Sequence, residues 1–134
     1  MVCVTCGENT QVINSRLQKR TNQVWRRRKC VGCKSIFTTT EMAEYNAIWA
    51  VIRKNRRLMP FSRDKLFLSI YDSLQHRMTA IADAEGITTT VITKLSPIII
   101  NGTVESSAVT TAVQVALNRF DRVASMHYQA FHKG

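Results

Sequence analysis

Up to residue 41 the chain reads as short runs in which β-branched and aromatic residues are interleaved with polar ones. "TQVINSR" (10–16), "NQVWRRRK" (22–29) and "SIFTTTE" (35–41) share that texture, and Thr21-Asn22 reads as a turn between the first two. Three short strands are predicted. From residue 47 the pattern changes. The apolar run "AIWAVI" (47–52) predicts a strand, "KNRR" (54–57) a turn bearing cations, and Leu58-Met59 a second short strand. Ser62 is a good N-cap and Asp64 suits the positive end of a helix dipole. The helix that follows places Leu66, Phe67, Ile70, Tyr71 and Leu74 on its core side.

Ile81, Ala84, Val91 and Leu95 extend a helical spacing that Gly86 and the threonines at 88–90 weaken, and Pro97 stops it. "IIING" (98–102) reads as a buried strand closed by a turn at Asn101-Gly102. "SSAVTTAVQVALNRF" predicts a helix with Val109, Val113, Ala116 and Leu117 on one side. "DRVASMHYQAFHKG" predicts a last one with Ala124, Tyr128 and Phe131 inward. The fold class is therefore α+β: a strand-rich part over 1–46, then a mostly helical part over 47–134 with a small sheet.

Charge sharpens this division. The net charge of +10 lies entirely in the first half: residues 1–46 carry +5, residues 47–65 another +5, and residues 66–134 none. Solubility needs no such segregation, so a polyanionic partner is expected, with a merely solvated basic face as the plainer alternative. The hydrophobic content of 45% is enough for a folded core. "AIWAVI" is far too short to span a bilayer, and Met1-Val2-Cys3-Val4 lacks the basic start of a secretory leader, so a cytoplasmic protein without a membrane partner is expected.

All four cysteines, Cys3, Cys6, Cys30 and Cys33, form two C-x-x-C pairs with none left over. Two thiolates three residues apart reach one ion from a tight turn, and two such turns complete a tetrahedral zinc site. Gly7 and Gly32 stand where tight knuckles need backbone freedom. Disulfides suit a cytosolic chain poorly, and a thioredoxin-like redox motif does not come as two distant pairs. Closed four-sulfur coordination leaves no place for a substrate water, so a structural Zn(II) is expected. So small a three-stranded ribbon has little core, and metal binding should supply most of its folding energy, on a scale of about 10–16 kcal/mol.

"RRRKCVGCK" (26–34) sets four cations beside the second pair. On a strand, Arg26 and Arg28 share one face and Trp25 and Arg27 the other. With Trp25 packed inward, Arg26 and Arg28 lead the exposed surface and Arg27 runs along the edge; with Trp25 outward, it could stack on a base. Guanidinium forks suit phosphates and guanine edges. His76, His127 and His132 are isolated and lack metal-ligand spacing. No phosphate loop, dinucleotide fingerprint or nucleophile elbow is present, and nothing argues for an enzyme.

The order of these motifs resembles the NrdR family, bacterial repressors of ribonucleotide reductase genes built from an N-terminal zinc ribbon and a C-terminal ATP-cone. "CVTCG", "VINSR" and "RRRKCVGCKSIFTTTE" carry the ribbon resemblance, and "VIRKNRRLMPFSRDKL" is similar to the entry of the cone. "VESSAVTTAVQVALNRFDRVASMHYQAF" looks like the family's closing helices at lower identity.

The resemblance implies that the ribbon (1–46) grips double-stranded operator DNA through Arg16, Arg26, Arg27 and Arg28. It implies that the cone (47–134) binds ATP or dATP and thereby sets the state of a homo-oligomer, a dimer or a higher even number. Val51, Arg53, Lys54, Arg57, Phe61 and Lys65 would line the nucleotide site, with Pro60 shaping it. Arg63 adds a cation nearby. Asn55-Arg56 stands in place of the family's Asp-Gly, which predicts a differently shaped hairpin. Ile36 replaces an arginine, His132 stands near a usual tyrosine, and Ser125-Met126-His127 replaces a more aromatic and basic stretch. The competing reading is a zinc-ribbon module that binds RNA or protein, with a degenerate nucleotide-sensing cone.

Overall fold

The computed structural model describes residues 1–132. The chain separates into two compact units, Met1–Ala43 and a second beginning at Glu44. The first holds three antiparallel strands in sequence order, β1 (Thr10–Gln18), β2 (Gln23–Cys30) and β3 (Ile36–Glu41). Residue alternation sets their register: Arg16 lies opposite Trp25, and Asn14 opposite Arg27, which in turn faces Thr38. A bulge at Ile13 interrupts the β1–β2 register between Val12 and Asn14. Nearly every side chain of β1 is exposed, and the fully buried members of this unit are Cys3 and Cys30.

The second unit carries a small sheet and most of the helix. After a short turn of helix, α1 (Tyr45–Ile48), come β4 (Ala50–Ile52) and β5 (Leu58–Pro60), then α2 (Arg63–Leu74) and α3 (Ala80–Leu95). A 3-10 turn over Ser96–Ile98 leads to β6 (Thr103–Glu105), α4 (Ser106–Phe120) and α5 (Arg122–Phe131). β4 is central, antiparallel to β5 and parallel to β6. Ser62 caps α2, its hydroxyl accepting from the Lys65 N–H at 3.2 Å. Asp121 does the same for α5 through the Ala124 N–H at 3.1 Å. The core between sheet and helices joins Trp49, Phe61, Leu66, Ile70 and Leu74 to Val91, Leu95, Val104, Val113, Leu117 and Tyr128. The final helix ends by residue 131, and residues 133 and 134 of its predicted span lie outside the described residues.

Three expectations need correction. Only 50–52 of "AIWAVI" pair as strand; the Trp49 N–H bonds to Tyr45 O at 2.9 Å and the indole turns into a cluster with Tyr45 and Phe61. "IIING" is not a buried strand. Ile98 and Ile100 are exposed, and pairing there is confined to a bridge between Ile100 and Thr103. The turn at Asn101-Gly102 does form, both residues taking left-handed φ (52° and 73°). Phe131, expected inward, faces solvent with 73% of its surface exposed. The helix over Ala80–Leu95 forms as expected, with Ala80, Ala84, Ile87 and Val91 on its inner face and Ile81 exposed. The threonines of α3 are accommodated because Thr88, Thr89, Thr90 and Thr93 each return a hydroxyl hydrogen bond to the carbonyl four residues back.

Candidate metal centre and nucleic-acid interface

The two cysteine pairs fold into knuckles of the same build. The Cys3 N–H bonds to Glu8 O (2.7 Å) just as the Cys30 N–H bonds to Ser35 O (2.9 Å). Each knuckle closes on a residue of left-handed φ directly after its second cysteine, Gly7 (81°) in one and Lys34 (66°) in the other. Gly7 therefore needs the conformational freedom expected of it. Gly32 does not: its φ is ordinary, and the Glu8 side chain lies 3.1 Å from where a Cβ would stand.

The turns converge all four Sγ atoms to within 4.8 Å of one another. Cys3 Sγ lies 3.7 Å from Cys33 Sγ, and Cys6 Sγ 3.5 Å from Cys30 Sγ. Zn–S bonds of about 2.3 Å in a tetrahedron put sulfurs about 3.8 Å apart, whereas a disulfide holds them at about 2.0 Å. The separations fit a shared ion and not a bridge. Backbone amides support the sulfurs: the Thr5 N–H donates to Cys3 Sγ (3.3 Å), and those of Gly32 and Cys33 donate to Cys30 Sγ (3.3 and 3.4 Å). The Ser35 hydroxyl lowers the Cys3 thiol to about 5 and also lowers that of Cys33. At Cys6 a backbone hydrogen bond at Glu8 works downward, but the Cys30 sulfur and desolvation push the thiol up to about 11. So tight a set cannot hold four negative charges unaided, and a divalent soft-ligand ion such as Zn(II) would keep all four as thiolates. Two ligands are buried and two exposed, with no position left over for a reacting group.

The second knuckle begins at Cys30, the last residue of β2, and β2 sorts the arginines by face. Trp25, Arg27 and Lys29 are exposed on one side, with Arg16 and Asn14 across from them on β1. Of the two packings open to Trp25, the structure has the outward one, with 45% of its surface exposed. Arg26 and Arg28 occupy the opposite, half-buried side. Arg26 Nη1 sits 2.5 Å from Glu41 Oε2, and Arg28 Nη1 donates to Thr10 Oγ1 at 3.2 Å while its Nε is buried without a partner. Among the described residues, Arg16 and Arg27 have no ion-pair partner. Arg16, Trp25, Arg27, Asn14 and Thr38, with Arg26 at the border, enclose a shallow hollow of about 230 Å³. Alternating exposure along β2 marks which face is open; the bulge at Ile13, which brings Asn14 opposite Arg27, is not announced by the residue pattern.

In the second unit a cleft of about 360 Å³ is lined by Val51, Arg53, Pro60, Phe61 and Lys65 together with Ser106, Thr110, Tyr128 and His132. A second hollow of about 480 Å³ shares Arg53, Ser106, Thr110 and His132 and adds Lys54 and Asn55. Four of the six residues expected at a nucleotide site thus meet in one cleft, and Lys54 borders its neighbour. Arg57 is exposed and lines neither hollow. Phe61 is 2% exposed, so its ring serves as the floor, held edge-on against Trp49 at 5.4 Å.

The hairpin's cations are not equivalent. Arg56 reaches Glu105 (3.4 Å), and Arg63 is engaged by Glu85 (2.7 Å) and Thr89 (3.2 Å), away from the cleft. Arg63 is therefore no cleft cation. Arg56 takes the left-handed φ of 65°, and Asn55 Oδ1 accepts from the Arg57 N–H, so this pair still makes a tight turn. Residue patterns missed the far wall. His132 stacks on Tyr128 at 4.0 Å, burial raises the Tyr128 phenol above its ordinary value, and Ser106 and Thr110 lie one helical turn apart. That polar pair on an otherwise apolar helix face was the available signal.

Comparison with known proteins fits both units. The family model for the N-terminal domain of NrdR-like transcriptional repressors, a zinc ribbon, matches residues 1–41. Over nearly the whole chain (99%), the sequence is 35% identical to the transcriptional repressor NrdR of Syntrophotalea carbinolica, covering 84% of that protein. It is 32% identical to the protein of the same name from Afipia carboxidovorans and 31% to that from Fervidobacterium nodosum, covering 84% and 86% of them. These relatives are named as regulators, in keeping with the expectation that the chain is not an enzyme. Among the described residues no helix is long and apolar enough to cross a membrane.

Proposed function

The chain belongs to the NrdR family of transcriptional repressors, and we propose that it represses by gripping duplex operator DNA with its ribbon under the control of an adenine nucleotide in the second unit. The observation that carries the reading is the cationic sheet face of Arg16 and Arg27, flanked by Lys29 and held by a four-sulfur knuckle pair. Guanidiniums without ion-pair partners on an exposed strand face suit phosphates and base edges, while Arg26 and Arg28 stiffen the sheet from behind. Four cysteines fitted to one Zn(II) give that face its rigidity. One such small face contacts few bases, so paired half-sites and an even-numbered homo-oligomer follow. That the operator lies before ribonucleotide reductase genes rests on the family resemblance.

In the second unit, Arg53 and Lys65 supply cations without ion-pair partners among the described residues, and Lys54 lies beside them. A triphosphate of ATP or dATP would rest against these cations and the capped start of α2, with Val51, Phe61 and the Tyr128–His132 stack enclosing the base. Differential binding to two assemblies would let the nucleotide shift their balance. The test is particle mass and duplex affinity measured with ATP, with dATP and with neither. A nucleotide-dependent change in both is expected. Identical mass and affinity in all three conditions would overturn the nucleotide half, and absence of duplex binding in all three would overturn the DNA half.

A further inference from the structure

Trp25 is the unexplained residue of the ribbon. A half-exposed indole on the central strand of a sheet with almost no core contributes little to folding, and a smaller polar residue would leave less apolar surface in water. Its surroundings are specific. Arg16 is its direct cross-strand neighbour on one side and Thr40 on the other, with Arg27 next along its own face. Neither arginine covers the ring: among the described residues the one cation–π contact is Arg77 over Phe120, in the other unit. No other aromatic ring packs on it, since the ring pairs of the described residues all lie between 45 and 132. The indole N–H has no hydrogen-bond partner there either. The result is an open aromatic surface in a hollow edged by two free guanidiniums and the polar side chains of Asn14 and Thr38.

An open ring set among backbone-tracking cations on a β-sheet is the recipe for stacking an unpaired base, because every base presents a π-face and the cations hold its phosphates. We propose that Trp25 is a stacking platform for a single base that has left the DNA helix, so that the ribbon prefers DNA with an unpaired base over fully paired duplex. This deepens the proposed DNA reading and rests on it. Arg16 and Arg27 would hold the phosphates beside that base, and Asn14, opposite Arg27, offers an amide that can both donate and accept to its edge.

The experiment compares two fluorescently labelled DNAs of equal length, one fully paired and one with a single unpaired thymine, binding to the full chain at one salt concentration. Stacking on one base is expected to make the bulged DNA bind about tenfold more tightly. Trp25→Ala should abolish that preference while leaving affinity for the paired duplex within about twofold; Trp25→Phe should retain part of it. Zinc content of the variants reports that the ribbon is intact. Intrinsic fluorescence gives a readout that needs no variant: of the two tryptophans Trp49 is buried, so quenching on addition of bulged DNA reports Trp25. Equal binding of both DNAs by the unaltered chain, or a preference that survives Trp25→Ala, overturns the platform but leaves the duplex reading standing. Failure to bind either DNA overturns both. A bulged RNA of the same sequence bound more tightly than the DNA overturns the assignment to DNA.

Discussion

Arg26 and Arg27 are neighbours in sequence, yet they should differ sharply when replaced by alanine. Arg27 stands on the open face opposite Asn14, whereas Arg26 is turned to the other side and tied to Glu41. Each phosphate contact contributes about 0.9 to the slope of log affinity against log salt. Scaled from 1 M to about 0.15 M salt, that single contact amounts to about a fivefold change in affinity for one chain. For two chains on paired half-sites, Arg27→Ala should weaken binding about thirtyfold and reduce the slope by about 1.8. Arg26→Ala removes an ion pair whose acid is largely exposed, worth roughly 0.2–1 kcal/mol of stability, and should leave the slope unchanged. Anisotropy of a labelled duplex across a series of potassium chloride concentrations measures both quantities together. If Arg26→Ala flattened the salt dependence as much as Arg27→Ala, the face assignment would be wrong.

Three further outcomes follow from the geometry. Cys30→Ser breaks the buried half of the sulfur cluster, so backbone amide signals of residues 1–43 should collapse while those of the helical unit persist; an intact set of ribbon signals would contradict a metal-dependent fold. Arg56→Gly relieves a left-handed φ that an L side chain tolerates poorly and gives up only the exposed contact with Glu105. Urea unfolding should therefore show a gain of roughly 0.5–1 kcal/mol, and a loss would place the strain elsewhere. Asp121 is held down to about 2 by the His76 hydrogen bond first, then by the Ala124 N–H and Arg77. Its folded pKa is depressed, so its contribution to stability is complete above about pH 4 and is lost as the pH falls toward 2. Asp121→Asn keeps an N-cap side chain but removes that charge, and its helix signal should depend less on pH across this window than that of the unaltered chain.

Much of this could be read from residues alone where the physics is local. Four cysteines in two tight pairs demand one centre whatever surrounds them, and the cap at Ser62 marks a helix that forms on those terms. The threonines of α3 also proved compatible with helix, because hydroxyls returned to the backbone compensate for weak propensity. Direction was harder to read. In a thin sheet with no thick core, period-two alternation separates faces but does not say which is inner, and Trp25 went outward against its usual preference. The same limit misled at "IIING", where Ile98 belongs to the 3-10 turn over Ser96–Ile98 and only Ile99 of the three isoleucines is packed. The far wall of the cleft, Tyr128 on α5 and His132 just beyond its end, meets β4 and α2 through long-range packing; local spacing turned Tyr128 inward but did not say against what.

In the proposed repressor, one metal-clasped knuckle pair holds the cationic face to DNA. The most direct test of that role is duplex affinity of the purified chain before and after zinc is stripped with a chelator and then restored. One zinc per chain is expected, with loss of binding on stripping and recovery on readdition. A metal-free chain that binds the duplex with undiminished affinity would contradict it.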